Sequence, residues 1–555
     1  MTRKILTRKS VSTIGSILAL ISSGALAYSP SASAQLSPSC EAIYKSAPVI
    51  EEIEVDRGSV FTDEDPLPKW LPIETVNKFH KLSQEHLITQ ELLFKTGEPL
   101  DQYRIEETLR NLRSLGILQQ EEIRCESRPG NRVMVKVSTR DAWSLEPILN
   151  LAVLNAGTTW SLGFREFNLM GLGKQLRTSY SDHFGDSQLS AAYFDPRIAG
   201  SRWRWSVSGL TFDSGESASF ALGHPFYSLE TQWGGGFTLS HFHGNEILIN
   251  DGIITNEFSA RRRNLQIDAA YAVNPSSSAA NRVGLFYRYA EREFTPVESS
   301  ITSPPDNRTE APLGLLYRRI AADYITENHI AHFDRPEYFN LGNDLSATIG
   351  YSAPTFGADK DEILFSLNDA QGYTFREGHF IQGGISAAGR LHRGRVENFG
   401  GGIRLQWFLR ETKLDSKVLK HTFVVDTNFF ATERQDNDRF LSLGESTGLR
   451  GYRNHVITGD RRLRVTFEDR LFNDRRVAGL LTFGGVIFAD TGYVWEKNES
   501  FDLGDLATGV GIGLRIAWPA SATEQVIRID LAWPLSSVPQ DDGNPKFMLV
   551  TATEF

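Results

Sequence analysis

The sequence predicts a mainly β protein: a 16-stranded antiparallel transmembrane β-barrel over residues 145–555, preceded by one small α/β domain over residues 48–141. Three observations predict it. The N-terminus carries an export signal, the composition is rich in glycine and aromatics without any long apolar run, and two-residue alternation persists through most of the chain.

Export comes first. Arg3, Lys4, Arg8 and Lys9 precede an apolar run from Val11 to Ala27 that contains Gly and Ser, short and weak for a spanning helix. Small residues follow at signal-peptidase spacing, at Ala25-Leu26-Ala27 or, fitting better, Ala32-Ser33-Ala34 before Gln35. Residues 1–34 therefore read as a secretory signal peptide, against the competing reading of an uncleaved anchor. Cys40 follows Ser37-Pro38-Ser39, which lacks the Leu and small-residue pattern of a lipid-modified N-terminus.

Beyond the signal no run of about 18 apolar residues occurs, so a membrane role falls to a closed barrel, the other structure that satisfies its backbone in lipid. The chain has 47 Gly, 34 Phe, 16 Tyr and 10 Trp, yet its mean hydropathy is −0.28. Lipid-facing apolar residues alternating with polar lumenal ones produce that combination. The net charge of −10 argues against a nucleic-acid partner.

The α/β segment opens with a strand from Val49 to Val55. Helical stretches follow at Thr75 to Leu82 and His86 to Phe94, and Asp101 caps a helix carrying Ile105, Leu109, Leu112 and Leu115 on one face. Gln120 to Glu126 and Arg132 to Thr139 form two strands joined at Arg128-Pro129-Gly130-Asn131. In the second, Val133, Val135 and Val137 alternate with polar neighbours. Cys40 and Cys125 sit in an oxidising compartment, where they form a disulfide or stand as two thiols; their spacing does not decide.

From Ser144 onward helical periodicity vanishes. In Val526 to Trp533, Ile527, Ile529, Leu531 and Trp533 oppose Arg528, Asp530 and Ala532; in Arg462 to Arg470, Leu463, Val465 and Phe467 oppose Arg462, Arg464, Thr466 and Glu468. Allowing roughly 25 residues per strand and connection gives about 16 strands. Phe547, Leu549 and the terminal Phe555 share one register, the pattern of an outer-membrane insertion signal.

Three segments then make the chain resemble the superfamily of outer-membrane assembly and translocation barrels that includes BamA, TamA and the two-partner secretion transporters. The α/β segment resembles a polypeptide-transport-associated (POTRA) domain through His86-Leu87-Ile88-Thr89-Gln90-Glu91-Leu92-Leu93-Phe94, Gly97, Leu109-Arg110-Asn111-Leu112-Arg113 and Gly116. Leu449-Arg450-Gly451-Tyr452 resembles the family's arginine-glycine-aromatic loop, and Phe488-Ala489-Asp490-Thr491-Gly492 its strand motif. Phe488, Asp490 and Gly492 share one face of a strand. The resemblance implies that the loop folds into the lumen and that Arg450 meets Asp490, where the planar guanidinium suits a bidentate contact that Lys cannot make. The alternative is two ordinary solvated charges. Softer matches are Asn168-Leu169-Met170-Gly171-Leu172-Gly173 and Asp195-Pro196. Gly509, Gly511 and Gly513 share a face that admits either an approaching backbone or simple barrel curvature.

Gly444-Glu445-Ser446-Thr447-Gly448 fits a hydrolase-elbow pattern, but no helix follows it, and no Cys/His cluster has metal-ligand spacing. Neither enzyme activity nor a metal or other cofactor is expected. The expected partners are outer-membrane lipids, unfolded or secreted protein clients and periplasmic proteins. The resemblance implies a role in assisting assembly, insertion or translocation of proteins at the outer membrane, with the α/β domain in the periplasm and its strand Val133, Val135 and Val137 offering an edge to an extended client. A passive channel and a lipid-handling barrel are the rivals.

Overall fold

The computed structural model describes residues 38–552, apart from residues 64, 66, 69–71, 155–156, 184–185, 299–302, 334, 412–413, 417–418 and 474. The expected signal peptide and Phe555 lie outside the described residues. No described helix is long and apolar enough to cross a membrane.

The N-terminal domain runs α1 (Pro38–Ile43), β1 (Val49–Gly58), α2 (Ile73–Phe79), α3 (Glu85–Thr89), α4 (Gln102–Ser114), β2 (Leu118–Arg128) and β3 (Arg132–Asp141). The helical stretch expected over His86 to Phe94 stops at Thr89, and the Leu93 N–H is taken by the Thr108 hydroxyl at 3.0 Å. Asp101 caps α4 by accepting the Arg104 N–H at 2.9 Å. Ile105, Leu109 and Leu112 of α4 pack with Ile50, Ile123 and the valines of β3 in one buried core. Cys40 on α1 is disulfide-bonded to Cys125 on β2.

The sheet order is β1-β3-β2, with β1 parallel and β2 antiparallel to β3. This corrects one expectation. Val133, Val135 and Val137 lie on the central strand, fully buried, with both backbone edges already paired. Their alternation reveals a strand with a buried face; it carries no information about which strands lie beside it.

The second correction concerns strand number. The barrel has 20 strands rather than 16, from Leu145–Leu154 to Lys546–Ala552, each antiparallel to its sequence neighbour and the last paired with the first. Two are interrupted, at Ala311 and between Asn473 and Arg476. The allowance of roughly 25 residues was too generous because a tilted strand needs only about 9–11 residues to span. Early strands such as Lys174–His183, Asp186–Asp195, Arg204–Phe212 and Gly215–His224 are that short, and two residues, Asp213 and Ser214, separate the last two.

Outward positions are apolar: Leu162, Leu189, Leu285, Leu315 and Ile487 are 55–61% exposed, a surface suited to lipid. The closing seam is short. Lys546–Ala552 pairs with Leu145–Leu154 over four register positions, Phe547↔Val153 to Val550↔Asn150, against seven with its other neighbour. Below Val550 side chains replace the ladder: Asn150 Oδ1 accepts the Thr551 N–H at 3.0 Å and the Thr551 hydroxyl accepts the Leu149 N–H at 3.2 Å.

Both ends of the lumen are filled from the chain itself. At the rim next to the domain, the connection 322–343 forms a hairpin, Tyr324–Glu327 with Glu337–Asn340, and buries Ile330 and Leu341 against Phe380, Phe408 and Val424. The domain lies across this rim. Glu91 is held between Arg197 and Arg202, the latter at 2.8 Å, and the Arg113 guanidinium stacks 4.8 Å over the Tyr338 ring. The Gln84 N–H donates to the Gly171 carbonyl at 2.8 Å, and Asn168 Nδ2 donates to the Ser83 hydroxyl at 2.9 Å. The soft-matching Asn168–Gly173 turn is therefore part of the domain's seat. At the opposite rim the long connection 434–460 turns inward.

Candidate functional site: the lumenal loop and its carboxylates

Loop 434–460 connects strand Leu419–Glu433 to strand Arg461–Asn473, and a short hairpin of Leu441–Leu443 with Ile457–Gly459 starts its descent. Leu441, Leu443, Leu449, Tyr452 and Val456 pack with Val494 of strand Leu481–Trp495, so the loop carries its own apolar core into the lumen. Gly444–Gly448, the hydrolase-like stretch, forms a single 3-10 turn over Glu445–Thr447, and the Ser446 N–H donates to Asn454 Oδ1 at 2.6 Å.

The structure brings Arg450 and Asp490 together. Arg450 Nε donates to Asp490 Oδ2 at 2.7 Å and Nη2 to Oδ1 at 2.9 Å, a bidentate fork. The Arg450 backbone N–H adds a third bond to Oδ2 at 3.2 Å. Asp490 is fully buried, and its Oδ1 also accepts the Thr466 hydroxyl at 2.9 Å. Register explains this contact, since Thr466 and Asp490 are cross-strand partners.

The fork is part of a larger network. Arg450 Nη2 lies 2.9 Å from Glu468 Oε1. Glu468 in turn accepts Arg470 Nε at 2.8 Å, and Arg470 Nη1 reaches the Ile330 carbonyl at 2.7 Å. The inward loops from the two rims are thus joined through Glu468 and Arg470 of one strand. Phe488, on the same face as Asp490, lies under the Arg450 guanidinium with its ring centroid 3.5 Å from Cζ, a cation–π contact inside a buried site. Gly492 completes that face against Leu443.

Gly451 has φ +93°, a left-handed conformation that favours glycine, and its position leaves only 3.2 Å between an added Cβ and the Pro534 nitrogen. Tyr452 is fully buried. Its hydroxyl donates toward the Thr508 carbonyl at 2.7 Å and accepts the Ser536 N–H at 3.0 Å, pinning the loop to strand Ala507–Ala517 and to the connection that follows strand Val526–Pro534. Gly509 faces the Arg450 carbonyl, and a Cβ there would collide with it. An approaching backbone therefore accounts for this glycine.

Thr466, Glu468 and Arg470 were not among the candidate site residues. Their signal is parity: all three share the lumenal face of a strand whose alternation is plain in the sequence. Phe547 and Leu549 are half-buried on the closing strand. Val133, Val135 and Val137 are remote from this site, in the domain core.

Residues 366–555, which include the loop, Asp490 and the closing strand, match the model of the Omp85 superfamily domain. The matched residues lie wholly within the barrel. The apolar outer face suits an outer-membrane β-barrel. Solved structures similar to this chain, each at 11% identity, include BamA from Haemophilus ducreyi lacking POTRA domains 1–3 (TM-score 0.37, covering 90% of this chain and 84% of that one). CdiB from Acinetobacter baumannii has a TM-score of 0.47 with 91% and 74% covered. CdiB from Escherichia coli has a TM-score of 0.42 with 91% and 77% covered. The comparison with curated proteins finds no match.

Proposed function

We propose that this is an Omp85 barrel that assists the assembly, insertion or translocation of proteins at the outer membrane, with its α/β domain acting as a POTRA domain on the periplasmic side. The observation that carries this reading is the buried Arg450 fork on Asp490 and Glu468, inside a lumen occupied from both rims. A passive channel has no use for a lumen occupied at both rims, whereas a barrel that works at its wall needs a firm interior. The four-position seam supplies a weak line along that wall, flanked by longer ladders. In the domain, the outer side of β2 has no strand neighbour among the described residues, which leaves that edge for an extended client.

The test is reconstitution. Proteoliposomes containing the protein are expected to speed the appearance of protease-resistant, folded barrel from an urea-unfolded outer-membrane client, while planar bilayers show no steady large conductance. A steady large pore with no acceleration of client folding contradicts the reading.

A further inference from the structure

Loop 434–460 is held a second time near its base, and that contact leaves a cavity lined by unmatched donors. Arg308 binds Asp438 with Nη2 at 2.8 Å, and Arg390 binds Asp436 at 3.1 Å. Glu310 is saturated by two arginines, Arg288 at 3.1 Å and Arg390 at 3.2 Å. Glu397 and Glu362 stand farther from Arg390, at 3.5 Å and 3.8 Å.

A cavity of about 190 Å³ opens beside this network, lined by Arg288, Arg292, Glu310, Arg390, Asn398 and Arg439 among others. Arg288 Nε and Arg292 Nη1 are each buried without a hydrogen-bond partner among the described residues, as is Asn398 Oδ1, whereas Arg390 Nε is ion-paired with Glu397 and Glu362. Arg292 also faces the positive charges of Arg308 and Arg439, offset by Glu310 and Asp438. A buried N–H without an acceptor is costly, and two on guanidinium groups around one space call for a ligand with several acceptor oxygens. Asn398 adds a polar group whose amide orientation can serve either a donor or an acceptor.

We propose that this cavity is a binding site for a phosphate-type tetrahedral oxyanion, free or as a monoester. Guanidinium groups are the side chains best suited to phosphate oxygens. The lining is lumenal, so the ligand enters from water and not sideways from the bilayer. Arg439 belongs to loop 434–460 while Arg288, Arg292 and Arg390 belong to the wall, so the bound anion ties the loop base to the barrel.

The experiment uses the assembled full-length protein in detergent, at constant ionic strength, titrated separately with inorganic phosphate and with glucose 1-phosphate. Binding heat and the thermal unfolding midpoint are read for the parent, Arg292→Gln and Arg439→Gln, with assembly checked by heat-modifiable gel mobility. Saturable one-site stabilisation in the parent, weakened about tenfold or more in Arg292→Gln, is expected. Response to inorganic phosphate alone assigns a free ion; response to both assigns an opening wide enough for an ester. Should Arg292→Gln fail to assemble, a loss of response in Arg439→Gln, on the exposed loop, carries the test. No saturable response, or equal responses in the parent and both variants, means an adventitious ion only and overturns the proposal.

Discussion

Gly509 lies against the carbonyl of Arg450, with no room for a side chain between strand Ala507–Ala517 and the loop. The loop's seat is therefore shaped by a missing Cβ as much as by charge. Gly509→Val is expected to push the loop off the strand and lower assembled barrel. Protease accessibility of loop 434–460 in intact outer-membrane vesicles checks this, and a parent-like cleavage pattern would show that the wall yields instead.

Glu91 sits between Arg197 and Arg202 with its side chain 2% exposed. Removing one partner of a buried ionic contact costs about 3–5 kcal/mol because the other charges stay buried. Glu91→Ala is expected to loosen the domain from the rim. A Gln84→Cys, Met170→Cys pair, across the contact where Gln84 Nε2 donates to the Met170 carbonyl at 3.1 Å, reports it as a drop in cross-link yield.

The Cys40–Cys125 disulfide closes a separation of 85 residues. A crosslink of that span stabilises by roughly 2–5 kcal/mol, chiefly through the unfolded chain. Replacing both cysteines by alanine is expected to lower the urea midpoint of the domain signal by the corresponding amount while barrel mobility on gels stays unchanged.

Burial pushes the Glu337 carboxyl up to about 7, and Glu524 adds to this; the N–H groups of Ala331, His332 and Ile330 that it accepts pull the other way. The folded pKa lies above the ordinary value of 4.5, so the folded state holds the extra proton. Its stabilising effect is complete below that ordinary value and is lost as pH rises through about 7. Amide exchange at Ile330 to His332, corrected for intrinsic rates, is expected to show weaker protection at pH 8 than at pH 5. Glu337→Gln should remove that difference.

The elements that repeat were the ones legible in the sequence. Alternation in Arg462–Arg470 and Val526–Trp533 identifies barrel strands because every second side chain meets lipid. The helical face of Ile105, Leu109 and Leu112 identifies α4 for the same kind of reason. Strand count was not legible, because turns as short as Asp213-Ser214 leave little mark between alternating segments. Nor was the central place of Val133 to Val137, since pairing order is a property of the sheet and not of one strand. Glu468 and Thr466 looked like any lumenal residues until register set them beside Asp490. The base contact of Asp436 and Asp438 joins residues more than a hundred positions from Arg308, with no motif to announce it.

The central claim is that Arg450 and Asp490 act as one unit that holds the loop inside the barrel. The most direct measurement is heat-modifiable mobility of Arg450→Ala, Asp490→Ala and the double variant in outer-membrane fractions. Arg450→Ala strands the fully buried Asp490, a cost of about 3–5 kcal/mol, and Asp490→Ala breaks the fork and leaves Arg450 with Glu468 alone at 2.9 Å, so both are expected to reduce assembled barrel, with the double no worse than the more damaging single. Singles that assemble and function like the parent, or losses that simply add in the double, would contradict the account.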